Sequence, residues 1–225
     1  MKLLPILLLG LSALDAVTGW ALLHDRPQLG ILPPIPYKSA LRAQALGDEQ
    51  FLYRSTVLDI QNAGDTGGRV TPMREFDVEK VVSWMSLLQD LDRLSNHYPM
   101  LAVRYFAQVN RPDELRRLVE FVDRDVDLAP ARKWYWQTQI VAIARDRIKD
   151  LDLALALSRK LARFADFVPP DMFWVLQVEP ILLFDLGRFD EARTVMDGIV
   201  ARHGGKMNPY ERDWTRTFYA RLGNR

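Results

Sequence analysis

The sequence has no cysteine, which excludes disulfides, thiolate nucleophiles and cysteine-ligated metal. Histidine is scarce: His24, His97 and His203 lie too far apart in the chain for metal-ligand spacing. No charge of one sign dominates. Lys and Arg number 30 against 29 Asp and Glu, a net charge of +1, so no strong field marks a nucleic-acid partner. No segment alternates polar and apolar residues with period two, so no sheet is expected. A Gly-Lys-Ser/Thr phosphate loop following a strand is missing, as is a serine in a nucleophile setting. These absences leave no cofactor, metal ligand or catalytic residue to nominate, and the chain reads as a non-enzyme.

What remains is ample apolar material. Hydrophobic residues make up 48% of 225, enough for one globular body plus an anchor. The chain divides into residues 1–24, a membrane anchor or signal peptide; 25–37, a proline-rich spacer; and 38–225, a helical body. Lys2 precedes a mostly apolar run from Leu3 to Leu23, broken by Asp15. A basic start, apolar Leu3–Leu14 and small residues near Ala16 fit a cleaved signal peptide. A span of about 20 apolar residues also crosses a bilayer. Trp20 at an interface position and the lack of an Ala-x-Ala site favour the uncleaved anchor. Positive charge ahead of the run places the N-terminus in the cytoplasm and the body across the membrane. The expected location is therefore a bacterial-type inner membrane, single-pass, with a periplasmic body. Asp15 is either a tolerated residue or a polar contact to another membrane helix. Pro33, Pro34 and Pro36 make a stiff extended spacer that holds the body off the membrane surface.

Helix signals then follow in order. Lys38–Leu46 and Glu49–Gln61 flank Gly47-Asp48, a C-cap followed by an N-cap. Asp77 caps an apolar-periodic helix that continues to Leu94. Met100–Val109 and Asp113–Asp125 form a hairpin. Pro130 and Pro170 open the helices carrying Trp136 and Trp174, at positions where proline is harmless. Pro180 should kink its helix. Asn208-Pro209 opens a last helix, Tyr210 to Leu222, polar on one side and suited to face solvent.

The stretch Leu186-Gly187-Arg188-Phe189-Asp190-Glu191-Ala192 reads as a hairpin elbow, with Gly187 as a left-handed cap and Ala192 permitting close helix approach. Lys149-Asp150-Leu151-Asp152-Leu153-Ala154 has the same shape at an offset of 38 residues. At that same offset Trp136, Gln139 and Ile143 recur as Trp174, Gln177 and Ile181 on one helix face. A weaker third copy breaks at Asn110-Arg111-Pro112, with Leu115 in the place of Ala154. Such self-similarity predicts units that bury their apolar faces by stacking. The string from Leu186 to Ala192 resembles the second half of a tetratricopeptide repeat. Glu179 and Pro180 depart from the family's first half, and the spacing exceeds its usual one of about 34. The resemblance covers roughly residues 95–205 and implies a right-handed α-solenoid of stacked helical hairpins that binds protein.

In such a stack the first helix of each hairpin lines the concave groove. The candidate partner-binding residues are therefore Trp136, Gln139, Ile143 and Arg147 in one copy, and Trp174, Gln177, Ile181 and Phe184 in the next. Trp and Arg are common interface anchors, and Gln can bond an extended backbone. The same residues would equally serve as packing between hairpins, with each Gln satisfied by a neighbouring carbonyl. Two other signals carry less. Asp65-Thr66-Gly67 matches the aspartic-protease triplet by letters, but that chemistry needs two such carboxylates on β-loops. The paired acids Asp123/Asp125 and Asp150/Asp152 sit at helix ends, where capping explains them. The expected function is a membrane-anchored scaffold that binds a partner protein or assists assembly of an envelope complex. The alternatives are a structural subunit of a membrane complex held by its anchor (membrane contact through residues 3–23), or an accessory hydrolase acting at the Asp65–Arg69 loop.

Overall fold

The computed structural model describes residues 11, 12, 17, 31–65 and 71–223. The expected anchor, residues 1–24, falls almost wholly outside them, as does the loop from Thr66 to Val70 and with it most of the Asp-Thr-Gly triplet. Among the described residues the chain is all α, without a strand, and no helix is long and apolar enough to cross a membrane.

Helices α1 (Lys38–Gln44) and α2 (Glu49–Gln61) meet at a left-handed turn, with φ of 48° at Leu46 and 94° at Gly47. The Asp48 carboxylate then accepts the Phe51 N–H at 2.8 Å, the cap its position suggests. Asp77 does the same for the Lys80 N–H at 3.2 Å and opens α3 (Val78–Leu91). Val78, Val81, Met85, Leu88 and Leu91 form the buried stripe of α3. That helix stops before Leu94, because Asp92 turns extended and its carboxylate accepts the Leu94 N–H at 3.0 Å. The proline-rich segment does not stand free of the body at its start. Leu32 is buried, and α3 binds two of its carbonyls: Lys80 Nζ donates to Leu32 O at 2.6 Å and Trp84 Nε1 to Pro33 O at 3.0 Å.

Three helical hairpins and one last helix follow. Helix α4 (His97–Met100) widens into a π turn at Leu101–Tyr105 and closes at Gln108, so the helix starts three residues earlier than the pattern predicts. Pro99 lies in its first turn and loses no intrahelical bond. Helix α5 (Pro112–Val126) returns beside it. Helix α6 (Pro130–Ala142) likewise runs into a π turn, Ile143–Ile148, and α7 (Leu151–Ala162) packs back on it. In the next pair a 3-10 segment, Pro170–Gln177, precedes α8 (Val178–Asp185), and α9 (Phe189–His203) returns. The interruption expected at Pro180 falls just ahead of it. Because α geometry starts at Val178, the proline occupies the first turn, where its missing N–H is no loss. Helix α10 (Pro209–Gly223) ends the described chain. It opens with a reciprocal capping box: Asn208 Oδ1 accepts the Glu211 N–H, and Glu211 Oε2 accepts the Asn208 N–H, both at 2.9 Å.

The elbows match closely. Gly187 has φ 75° and Lys149 φ 60°, each at the end of the first helix of its pair. Ala154 and Ala192, five residues on, are both fully buried where the returning helices cross. Successive helices pack on their chain neighbours, from α5 on α6 through α8 on α9. Polar side chains also join segments that are 34 to 40 residues apart. Arg116 reaches Asp150, Lys160 reaches Asp123, Arg145 reaches Asp185 and Gln177 reaches Thr215.

Candidate docking cleft

The two copies of the Trp-x-x-Gln-x-x-x-Ile pattern have different surroundings. Trp136 is buried, and its Nε1 donates to Asn96 Oδ1 at 2.8 Å. Ile143 is buried as well, and Gln139 is half-buried. Arg147 turns back to the preceding hairpin and caps its last turn. It donates to Ala107 O, to Val109 O at 2.9 Å and to Asn110 Oδ1 at 3.1 Å. Helical carbonyls left over at a C-terminus attract such a cation. In this copy the face therefore joins consecutive hairpins.

The second copy is open at its start. Trp174 is 44% exposed, although Val175 and Leu176 beside it are buried. One helical turn on, Gln177 is buried and donates to Thr215 Oγ1 of α10 at 3.4 Å, so it ties two segments together. Ile181 remains half-exposed on the same face as Trp174. Phe184 packs inward against Phe189 at 5.2 Å and Phe218 at 5.8 Å, beneath the Arg221 guanidinium at 4.6 Å. Of the eight predicted residues, Trp174, Gln177 and Ile181 line one cleft. The other five do not.

That cleft has a volume of about 530 Å³ and runs between the Pro170–Asp185 segment and α10. Its opposite wall is Tyr210, Glu211 and Trp214. Tyr210 is 87% exposed, and Trp214 is held by stacking on Phe218, with ring centres 5.1 Å apart and planes 15° from parallel. Reading α10 as a polar solvent-facing cap missed both aromatic residues. The available signal was Trp214 itself, 40 residues beyond Trp174 in a helix otherwise rich in charge.

A second cluster lies deep between α3, α4, α5 and α6. Asp125 and Lys133 are completely buried and paired, with Lys133 Nζ 2.7 Å from Oδ1 and 2.9 Å from Oδ2. Lys133 Nζ also donates to Tyr98 Oη at 2.6 Å. Tyr98 and Gln89 donate to Asp125 Oδ1 at 2.7 and 2.8 Å. Burial pushes the Lys133 ammonium below its ordinary pKa, against the pull of the Asp125 carboxylate. Burial first, then the Asp125 charge, drives the Tyr98 phenol far above its own. The residue types are those of proton-transfer chemistry. However, the Lys133 ammonium, the Tyr98 hydroxyl and the Asp125 carboxylate are bonded to one another, and none of them lines a cleft described above. The arrangement clamps four helices. Its sequence signal was Lys133, which shares a buried face with Trp136, Gln137, Ile140 and Ala144. Capping does not describe Asp125, whose carboxylate points into this cluster. Asp150 does cap: its carboxylate accepts the Leu153 N–H at 2.8 Å and pairs with Arg116, which together hold it below the usual carboxylate range.

No family model, curated protein or solved structure matches this chain.

Proposed function

We propose that this chain is a non-enzymatic, membrane-tethered scaffold. Its body is a right-handed solenoid of tetratricopeptide-like hairpins, and it docks a partner protein at the Trp174–Trp214 cleft. Residues 3–23 anchor it in a bacterial-type inner membrane, with the body on the periplasmic side. The observation that carries the docking reading is the contrast between two equivalent tryptophans: Trp136 is sealed by Asn96, while Trp174 is left facing a cleft with further aromatic walls. Large aromatic side chains bring much contact area for little lost rotamer freedom, which suits them to anchor a partner. The matching elbows at Lys149 and Gly187, together with side-chain bridges 34 to 40 residues apart, support the repeating architecture.

The test uses the full-length chain purified from membranes after cross-linking. Tyr210→Ala removes an almost fully exposed side chain and should leave stability within about 0.5 kcal/mol, whereas Trp174→Ala also removes the buried half of an indole and should cost about 1–2 kcal/mol. Both should abolish recovery of a partner that the wild-type chain retains. Undiminished recovery from both variants would move the docking site elsewhere, to the convex face or the anchor.

A further inference from the structure

The outer side of the first hairpin, α1 and α2, is apolar, where the end unit of a stack needs a polar face to stay soluble. Exposed large apolar side chains among the described residues concentrate there. Leu11 and Val17 lie in the expected anchor, and half of the others fall between Ile35 and Leu58. Helix α2 turns Leu52, Tyr53, Val57 and Ile60 inward. Phe51 and Leu58, seven residues apart, share its outward side and stay exposed. Leu46 stands at the tip of the elbow, 95% exposed, in a left-handed backbone at φ 48°. A leucine there carries the Cβ clash that glycine avoids and gains no packing in return; such outliers point to function.

The point of attachment selects what covers this face. Leu32 is buried, and Lys80 and Trp84 hold the carbonyls of Leu32 and Pro33. Ile31 lies just past the end of α2, where a Cβ placed on Gly64 would come within 3.2 Å of its Cγ2. The N-terminal segment therefore joins the body at this hairpin. Its apolar run ends at Leu23, and the chain from Leu23 to Leu32 spans about 30 Å at full stretch. A bilayer holding that run stands at high effective concentration beside the hairpin.

Resting on the reading of residues 3–23 as an anchor, we propose that the outer side of α1–α2 is a lipid-docking surface. Leu46 and Phe51 enter the bilayer interface, and Tyr37 sits at headgroup level, where aromatic residues are favoured. The proline-rich segment then lays the body on the membrane instead of holding it off. Interfacial binding draws on apolar area and on charge. Charge contributes little here, because Lys38 pairs with Asp90 at 2.7 Å and Arg42 with Glu49 at 3.9 Å. Phosphatidylcholine, without net charge, should therefore suffice.

The absence of cysteine makes single-site spin labelling clean. Leu9→Cys, Leu46→Cys, Phe51→Cys and Phe167→Cys variants of the full-length chain are labelled and reconstituted in phosphatidylcholine vesicles. Electron paramagnetic resonance then compares collisions with oxygen, which concentrates in lipid, and with a nickel chelate, which stays in water. Labels at 46 and 51 should favour oxygen. The label at 167, exposed after α7, should favour the chelate. Should a variant at 46 or 51 fail to fold, Leu58→Cys takes its place and should favour oxygen too. Chelate-favouring labels at 46 and 51 beside an oxygen-favouring label at 9 overturn the docking and leave the anchor standing. A label at 9 that favours the chelate, or is lost with a cleaved leader, removes the anchor reading; the docking then stands only on oxygen-favouring labels at 46 and 51. Exclusion of both reagents from 46 and 51 overturns it in favour of a protein partner or a second copy.

Discussion

Lys149 and Gly187 sit 38 positions apart and hold the same left-handed backbone, at φ 60° and 75°, each closing the first helix of its hairpin. Glycine adopts this conformation without penalty, whereas a side-chain-bearing residue pays about 1–2 kcal/mol for the Cβ clash. A Cβ added at Gly187 meets nothing within 4 Å, so the left-handed backbone alone opposes a side chain there.

Opposite effects should follow from exchanging the two residue types. Lys149→Gly relieves the left-handed strain and should stabilise the chain by about 0.5–1 kcal/mol, after the extra freedom glycine gives the unfolded state. Gly187→Ala should cost about 1 kcal/mol. Thermal melts of both variants decide the matter. A loss of stability on Lys149→Gly would mean that the Lys149 side chain holds its elbow by some other contact.

The buried cluster gives a non-additive pair. Lys133→Met leaves the Asp125 carboxylate buried without its cation and should cost about 3–5 kcal/mol. Asp125→Leu should cost a similar amount. The double variant removes both charges and should cost much less than the two single changes together, about 1–3 kcal/mol, for the unpaired Tyr98 and Gln89. A denaturant-based double-mutant cycle measures the coupling. Additive single effects would show that the two charges do not depend on each other.

His203 makes stability depend on pH. Its ring lies 4.6 Å from that of Phe173, and its Nδ1 is buried without a partner among the described residues. Burial, aided by Arg202 and Lys206 and opposed by Asp166, lowers its pKa. The unfolded chain therefore binds this proton first, and stability is lost as pH falls below the ordinary histidine value of about 6.5. His203→Gln should flatten the decline between about pH 7 and pH 5 relative to wild type. Identical slopes for the two proteins would show that His203 does not contribute.

Local signals were legible in the chain. The caps at Asp48 and Asp77, the elbow at Gly187 and the small residue at Ala192 depend on residues within a few positions of one another, and each is found where its pattern indicated. The candidate site was legible only in part, because its parts are distant in sequence. Trp136 and Trp174 open the same Trp-x-x-Gln-x-x-x-Ile spacing, yet Asn96, 40 residues upstream, seals the first. The second faces α10, whose Tyr210 and Trp214 complete the cleft. Gln177 looked like a groove residue by its spacing, but the Thr215 hydroxyl 38 residues downstream draws it into the packing. Asp125 looked like a helix-end acid until Tyr98, Gln89 and Lys133 converged on it from three other helices. Periodicity reports which residues share a face, and only the folded neighbours determine whether that face is covered.

Docking at the cleft is most directly tested by site-specific photo-cross-linking in the full-length chain. A photoreactive amino acid replaces Tyr210 at the cleft rim or, as control, Phe51, which is 69% exposed on α2. A discrete partner adduct should form from position 210 and be absent from position 51. No adduct from position 210, or the same adduct from both, would contradict the account.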